Sequence, residues 1–389
     1  MGDPDWSCQF SGSKVSIPRS REIPPNPKPR EIVADAPETS LIEREVYRLT
    51  FRGNGEELFG IFISNLLKTI ASLGIYSFWG KVKTRQYLWG QSECFGDRFG
   101  YHGTGSELLL GWIKAVVFFG SIVAAQNVLP LVWNDTMANV LAAAIFYGGL
   151  VVLIPLARIG SMRYRLSRSS WRGIRFSFRG AYWPLFRLSL RGYLLNALTL
   201  GLYYPYFDCQ VRKFMIDNSY LGSVRFTFDW DKPELKKLAG AYVSALGGTI
   251  ILFPVCLIVM STVFGGLFGP VGIVLALGGS LVACSGLWIM FIAERRRFVW
   301  NHTKFGDAQF KSTIEDGQLG RLYTVNALLA LVSVGLALPW IKVRTVRYNL
   351  EHLMLQGSVD LSTIVQEAGD AAPTGDALAG FFDVDTIPT

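Results

Sequence analysis

The chain has 389 residues, a mean hydropathy of +0.29 and a formal net charge of +8. Hydrophobic residues make up 50% of it, and long stretches lack the polar face that a soluble helix requires. These numbers exclude an ordinary soluble protein. Lysines and arginines gather at the ends of the apolar segments, which is a pattern of membrane orientation, so we expect the lipid bilayer and not nucleic acid as a partner.

The chain divides by composition into three parts. Residues 1–46 are predicted to be a disordered, proline-rich N-terminal tail, because a stretch so polar cannot bury enough apolar surface to fold. Residues 47–357 are predicted to form a polytopic membrane domain of internal repeats. Residues 358–389 are predicted to be a flexible acidic tail, with six acidic and no basic residues from Ser358 onward.

The membrane domain contains seven apolar segments. The second, third, fifth and sixth carry at most one charge each and predict four firm transmembrane helices. The other three contain lysine or arginine and are broken by glycine or proline, so they either enter the membrane and return or span it, which allows up to seven crossings. The segments are 58–79, 108–133, 138–157, 184–206, 239–264, 270–293 and 319–340, and the predicted helix breaks are Gly74, Gly201, Pro205, Gly335 and Pro339.

Strand-like and helix-like patterns recur along this domain. An aromatic residue stands seven positions before a leucine that opens a segment, as in Phe51 and Leu58, and again in Phe178 and Leu185. After several segments a basic residue is followed by a glycine turn and an alternating strand. The predicted fold is therefore a membrane all-α bundle of repeated strand–helix units, with short cytoplasmic β elements.

The basic clusters bear on topology. They follow five of the seven segments and include Arg158, Arg212 and the run of residues 295–297. Seven simple crossings would leave some clusters outside, against the positive-inside bias. If the three broken segments return without crossing, every cluster, every β element and both termini are cytoplasmic. We prefer this arrangement, although residues 322–341 are long enough to span.

Several long strings of residues, unusual in composition, occur at residues 57–60, 73–85, 101–105, 198–205 and 381–385. In this order they resemble the YjgN-like family of bacterial inner-membrane proteins. The resemblance covers roughly residues 47–385 and implies a multi-pass protein of the bacterial inner membrane. It implies no substrate and no catalytic residue, because the family is a domain of unknown function.

Polar residues inside the broken segments are the candidate functional residues. Charges at membrane depth are costly and often mark a route for an ion or a solute, and arginines there can bind anionic lipid headgroups. The alternatives are that Lys68 reaches the interface or pairs with Glu57, that the asparagines join helices, and that the arginines are interfacial anchors. The candidate pathway comprises Asn65, Lys68, Arg187, Arg191, Arg321 and Asn326.

The acidic tail ends in an apolar and acidic string, Phe381, Phe382, Asp383, Val384 and Asp385. It is predicted either to dock on the basic face or a partner, or to remain solvated. No enzyme motif or Cys/His cluster is present, so we expect no catalytic residue, cofactor or metal. The leading hypothesis is a transporter or channel for a small solute, ion or lipid. The alternative is a non-enzymatic membrane scaffold or regulator, and a homo-oligomer fits either.

Overall fold

The computed structural model describes residues 46–132 and 136–357, with side chains described outside residues 129–135. All of them fall in one compact unit, residues 44–389. The predicted docking string at Phe381, Phe382, Asp383 and Asp385 lies outside the described residues, as do nearly all of the N-terminal tail and the whole of the acidic tail.

Helices and short strands alternate along the described residues. The helices are α1 (Gly55–Ala71), α2 (Ser77–Gly90), α3 (Gly105–Val132), α4 (Thr136–Ser167), α5 (Tyr182–Leu198), α6 (Tyr204–Asp217), α7 (Lys232–Phe268), α8 (Pro270–Asn301), α9 (Asp316–Val332) and α10 (Leu338–Glu351). The strands are β1 (Val46–Arg48), β2 (Thr50–Phe51), β3 (Ser92–Cys94), β4 (Asp97–Tyr101), β5 (Ser169–Trp171), β6 (Ile174–Phe178), β7 (Ser219–Leu221), β8 (Val224–Phe228), β9 (Thr303–Phe305), β10 (Ala308–Ser312) and β11 (Leu353–Gln356).

The order strand–helix–helix–strand occurs five times in the described residues. In the second and fourth occurrences the helical hairpins are long (α3–α4 and α7–α8), and in the others they are short (α1–α2, α5–α6 and α9–α10). The two strands that flank each hairpin pair with each other, as Tyr101 with Ser169 and Phe228 with Thr303. Both ends of every helical hairpin are therefore held at the sheet.

The strands form an antiparallel sheet that curls into a nearly closed barrel. Its order runs from β1 through β11 and down to β2, so the two outermost strands are neighbours in sequence. They are separated only by Leu49, whose amide donates to the carbonyl of Leu353 at 3.3 Å. The segment 46–51 thus pairs with β11 on one side and with β3 on the other, which removes the open edges of the sheet.

The barrel has two unlike rims. At one rim, tight two-residue turns join strands, and Phe95–Gly96 and Arg172–Gly173 have the positive φ angles that match the twist of a hairpin. At the other rim, all five helical hairpins begin and end. Buried residues of the strands, among them Trp171, Leu221 and Phe305, make an apolar core.

This barrel corrects the fold class predicted from the sequence. The chain is not an all-α bundle with short cytoplasmic β elements, because the described strands join into one eleven-stranded sheet. The glycine turns indicate local hairpins, whereas the barrel depends on pairs such as β4–β5 and β1–β11 between residues far apart in the chain. Sequence spacing carries no signal for those pairs.

The three short hairpins explain the predicted helix breaks. Gly74, Gly201 and Gly335 lie in the turns between their helices with φ of +95°, +89° and +85°. Pro205 and Pro339 follow as the second residues of α6 and α10, in the first turn, where a missing amide costs no helical hydrogen bond. The turns are apolar and exposed, with Leu73, Leu200 and Val334 each about 90% accessible (94%, 89% and 91%).

Four of the described helices are long and apolar enough to cross a membrane. They are Gly105–Val128, Thr136–Ser167, Lys232–Phe268 and Pro270–Asn301. The short helices α1, α5 and α9 have 17 residues each, which at 1.5 Å per residue gives about 25 Å, less than the ~30 Å hydrocarbon core.

Candidate functional site

A cavity of about 600 Å³ lies where the helices meet the barrel. Its wall includes residues from the second helix of every helical hairpin, α2, α4, α6, α8 and α10, and from the strands that follow them. Along α4 the lining residues Arg158, Met162 and Leu166 are four positions apart, so one face of the helix looks into the cavity.

The barrel end of the cavity is apolar and rich in aromatic rings. The centroids of Phe99 and Phe176 are 6.5 Å apart, those of Phe176 and Phe226 are 6.4 Å apart, and those of Phe226 and Phe305 are 4.7 Å apart. The indole N–H of Trp171 donates to the carbonyl of Cys94 at 3.3 Å. Rings from β4, β6, β8 and β9 thus form a continuous lining.

Four hydroxyl residues mark the junction between helices and barrel. Each stands at the first position of a strand and donates to a carbonyl four residues earlier in the preceding helix, which satisfies one of the free carbonyls at the helix end. The distances are 2.8 Å for Ser92, 2.9 Å for Ser169, 2.8 Å for Ser219 and 2.7 Å for Thr303, and all four line the cavity.

The helix end of the cavity carries charge. Four arginines and one aspartate line it, which gives a formal charge of +3. Arg212 lies seven residues and Arg158 eleven residues before the strand that follows, about 10 Å and 16 Å along the helix from the junction. The charged residues are Arg158, Asp208, Arg212, Arg295 and Arg296, and they share this end with Asn349.

Asp208 joins two of the arginines. Its carboxylate accepts from Nε of Arg212 at 2.9 Å and from Nε and Nη2 of Arg295 at 2.9 and 2.7 Å. Burial disfavours the carboxylate, but Arg212 and Arg295 outweigh it and lower the pKa of Asp208 to about 2. Asp208 is therefore ionised at neutral pH, and α6 is tied to α8.

The other two arginines differ in their partners. Nη1 of Arg296 donates to Oδ1 of Asn349 on α10 at 2.7 Å. Arg158 is half-buried, and within residues 46–132 and 136–357 no carboxylate pairs with it. The charge of Arg158 is therefore not neutralised by a carboxylate in these ranges.

Two buried thiols adjoin this region. Burial raises the pKa of Cys94 to about 12, and burial together with the neighbouring Asp208 raises the pKa of Cys209 to about 12. Neither thiol is ionised near neutral pH, so neither is a ready nucleophile. No group of three or more His, Cys, Asp or Glu side chains in the described ranges could hold a metal ion.

The residues of the predicted polar pathway are placed on the short hairpins. Asn65 donates to the carbonyl of Gly80 at 3.3 Å and Asn326 donates to Thr345 at 3.1 Å, so each asparagine bonds to the other helix of its own hairpin. Lys68 is exposed with Nζ 5.5 Å from the ring centroid of Tyr76. Glu57 instead accepts from Tyr87 at 3.0 Å.

Arg187, Arg191 and Arg321 are exposed as well, and none of the six pathway residues lines the central cavity. The pathway stays a prediction. The charged cavity was not predicted from the sequence, because Arg158, Arg212 and Arg295 were interpreted as markers of orientation only. A signal was available in Asp208, an acid four residues before Arg212 and directly beside Cys209, but nothing in the spacing joins α6 to α8.

Apolar helices of spanning length around a charged cavity define a membrane protein. The family model described as "Bacterial protein of unknown function (DUF898)" matches residues 46–381, and the chain belongs to this family. Among its relatives, the inner membrane protein YjgN of Salmonella typhimurium is 24% identical over 375 residues, which cover 81% of this chain and 89% of the relative. The predicted resemblance to the YjgN-like family is confirmed.

Inner membrane protein YjgN of Escherichia coli O157:H7 is 34% identical over 160 residues. That match covers 40% of this chain and spans 37% of the relative. The corresponding protein of Escherichia coli K12 is also 34% identical over 160 residues. No solved structure matches the chain. These names agree with an inner-membrane location and say nothing of an activity.

Proposed function

We propose that this chain is a multi-pass inner-membrane protein that moves a small molecule through its central cavity, as a transporter or channel. The observation that carries the proposal is the charged end of the cavity, where four arginines meet one aspartate within the ring of second helices. Charged side chains in such surroundings are costly and usually serve a route or a ligand.

The proposed topology has four crossings, made by α3, α4, α7 and α8. The short hairpins enter the membrane and return, because their helices are too short to span and their turns are exposed and apolar. Since every helical hairpin starts and ends at one rim, the barrel lies on one side of the membrane. The basic residues near that rim favour the cytoplasmic side, with both termini there.

We also propose that the five recurring units are true internal repeats. Their helical hairpins pack side by side around the barrel, and the last returns to the first, where the rings of Phe59 and Trp340 are 4.7 Å apart. Elsewhere Phe78 meets Trp112 at 5.6 Å and Tyr204 meets Tyr242 at 5.3 Å. Transporter sites often lie between repeats, which supports a site on the common axis of the five units.

Transport can be tested on the purified full-length chain in proteoliposomes. One arm measures current across planar bilayers in potassium chloride, and a second follows the movement of fluorescent phosphatidylglycerol between leaflets by chemical quenching from outside. We expect a rate above that of protein-free membranes in at least one arm, and a lower rate for Arg158→Gln. Arg48→Gln is the matched control, because Arg48 is exposed on β1 and does not line the cavity.

If neither arm responds to the protein, transport of ions or lipids is wrong. The non-enzymatic scaffold or regulator then becomes the better description of this chain. Affinity purification from native membranes would test that reading, with the full-length chain compared with one that ends at residue 357.

A further inference from the structure

The central cavity joins two ends of opposite character, one apolar and aromatic and one positively charged. We propose that it binds an anionic amphiphile with one apolar chain or ring system, the charged group lying among the arginines and the apolar part inside the barrel. The inference rests on the proposed function, since it names the class of molecule that the same cavity would move.

The barrel end suits an apolar group and not a polar one. Its ring-lined wall includes Phe99, Phe176 and Phe226, and the indole N–H of Trp171 is spent on the carbonyl of Cys94. A sugar or an amino acid placed inside would lose its hydrogen bonds to water without replacement, which costs several kcal/mol. An alkyl chain or a fused apolar ring gains from the same burial.

The junction between the two ends reinforces this selection. The hydroxyls of Ser92, Ser169, Ser219 and Thr303 each donate to a helix carbonyl, so their protons are already used. Since a hydroxyl has only one proton to donate, the junction offers a ligand acceptors and no hydroxyl donors. A polar ligand at the junction would therefore have few hydrogen-bond donors within reach, apart from the arginines at the helix end.

The helix end suits an anion. Arg212 and Arg295 share Asp208, and Arg158 adds a further positive charge at the same end. Guanidinium groups bind carboxylate and phosphate through paired hydrogen bonds, so either group fits. Because Arg158 has no carboxylate partner in the described ranges, a ligand anion would supply the missing countercharge.

The size of the cavity limits the ligand. A volume of about 600 Å³ lies within the usual range for a site that holds one small molecule. The geometry therefore points to a single-chain amphiphile such as a fatty acid or a lysophospholipid. In this orientation the apolar part leaves the bilayer and enters the barrel, which is the geometry of a carrier that extracts its ligand.

The test uses the full-length protein in nanodiscs of phosphatidylcholine and a photoreactive palmitate that carries a diazirine near the end of its chain. After illumination, adducts are mapped by mass spectrometry. We expect adducts on barrel residues such as Phe176 and Phe226, and about tenfold fewer with the matching photoreactive alcohol, because one charge-assisted contact is worth 1.4 kcal/mol or more. Adducts confined to lipid-facing residues of α7 and α8, or equal labelling by acid and alcohol, would overturn the inference.

Two variants separate the two ends of the site. Arg158→Gln should lower barrel adducts about tenfold while Arg48→Gln leaves them unchanged. Leu221→Phe fills the apolar end and should remove the barrel adducts, whereas Val243→Phe, on an exposed part of α7, should not. If both Leu221→Phe and Val243→Phe label like the unmodified chain, the apolar part does not enter the barrel.

Two further arms identify the source of the anion. A photoreactive lysophosphatidate should label the same barrel residues if a phosphate headgroup is accepted as well. Millimolar inorganic phosphate should compete weakly, because the chain supplies much of the binding energy. If inorganic phosphate displaced the photoreactive ligand completely, the site would be one for a free anion, and the proposal of an amphiphile would be wrong.

The outcome is separable from that of the transport assays. If the protein moves neither ions nor fluorescent lipid but barrel adducts form, the proposed ligand is supported and the transport proposal is wrong. If ions or lipid move in those assays but no barrel adducts form, transport is supported and the proposed ligand is wrong.

Discussion

Arg295 and Asp208 form a two-point ion pair although they are 87 residues apart, with Nη2 2.7 Å from Oδ1 and Nε 2.9 Å from Oδ2. Arg212, one turn along α6 from Asp208, reaches the same carboxylate at 2.9 Å. This triad holds α6 of a short hairpin against α8 of a long one at the wall of the cavity. The triad therefore connects a short helical hairpin to a long one.

Replacement of Asp208 should destabilise the fold. Asp208→Asn leaves two arginines, with side chains 20% and 26% exposed, without their shared carboxylate. We expect a loss of about 3 kcal/mol in the free energy of unfolding, measured by thermal unfolding in detergent. Asp97→Asn is the control, since its pair with Arg172 is 44% and 43% exposed and should be worth less than about 1 kcal/mol. Equal losses in the two variants would show that the triad has no special weight.

The same carboxylate predicts a dependence on pH. The pKa of Asp208 is lowered from 3.8 to about 2, so its contribution is complete above pH 3.8 and is lost as the pH falls towards 2. The difference corresponds to about 2 kcal/mol. The unfolding midpoint of the native chain should therefore fall more steeply between pH 4 and 2 than that of Asp208→Asn, and parallel curves would contradict the assignment.

The turn of the first short hairpin requires a left-handed residue. Gly74 has φ of +95°, so Gly74→Ala should cost about 1 kcal/mol although nothing lies within 4 Å of the added methyl group. Gly60 on α1 has equal space and no such φ, so Gly60→Ala should be neutral or stabilising. The unfolding midpoints of the two variants test this: Gly74→Ala should lower the midpoint, whereas Gly60→Ala should leave it unchanged or raise it.

The proposed topology predicts how engineered cysteines react with an impermeant maleimide. In a chain whose native cysteines are replaced by serine, Asp307→Cys at the turn rim of the barrel should react only in inverted vesicles. Phe268→Cys, at the far end of α7, should react only in spheroplasts. Leu198→Cys, 81% exposed near the tip of a short hairpin, should react in neither because lipid covers it. Reaction of Leu198→Cys from the outside would mean that α5 crosses.

Much of the local structure could be predicted from the sequence. The segments with at most one charge correspond to α3, α4, α7 and α8, and the glycines at 74, 201 and 335 mark the hairpin turns. These features depend on hydropathy and on φ, which are properties of neighbouring residues. The family could also be predicted, from strings of residues such as 73–85 and 198–205, and the family model confirms it.

The sequence by itself therefore determined the membrane class, the family and the places where the chain turns. Only the tertiary structure decided that the strands close into a barrel and that Asp208 meets Arg295 beside Arg158 and Arg212. The reason is physical. Strand pairs across a helical hairpin and ion pairs between helices join residues distant in the chain, and hydropathy and turn chemistry report only on residues that are close in it.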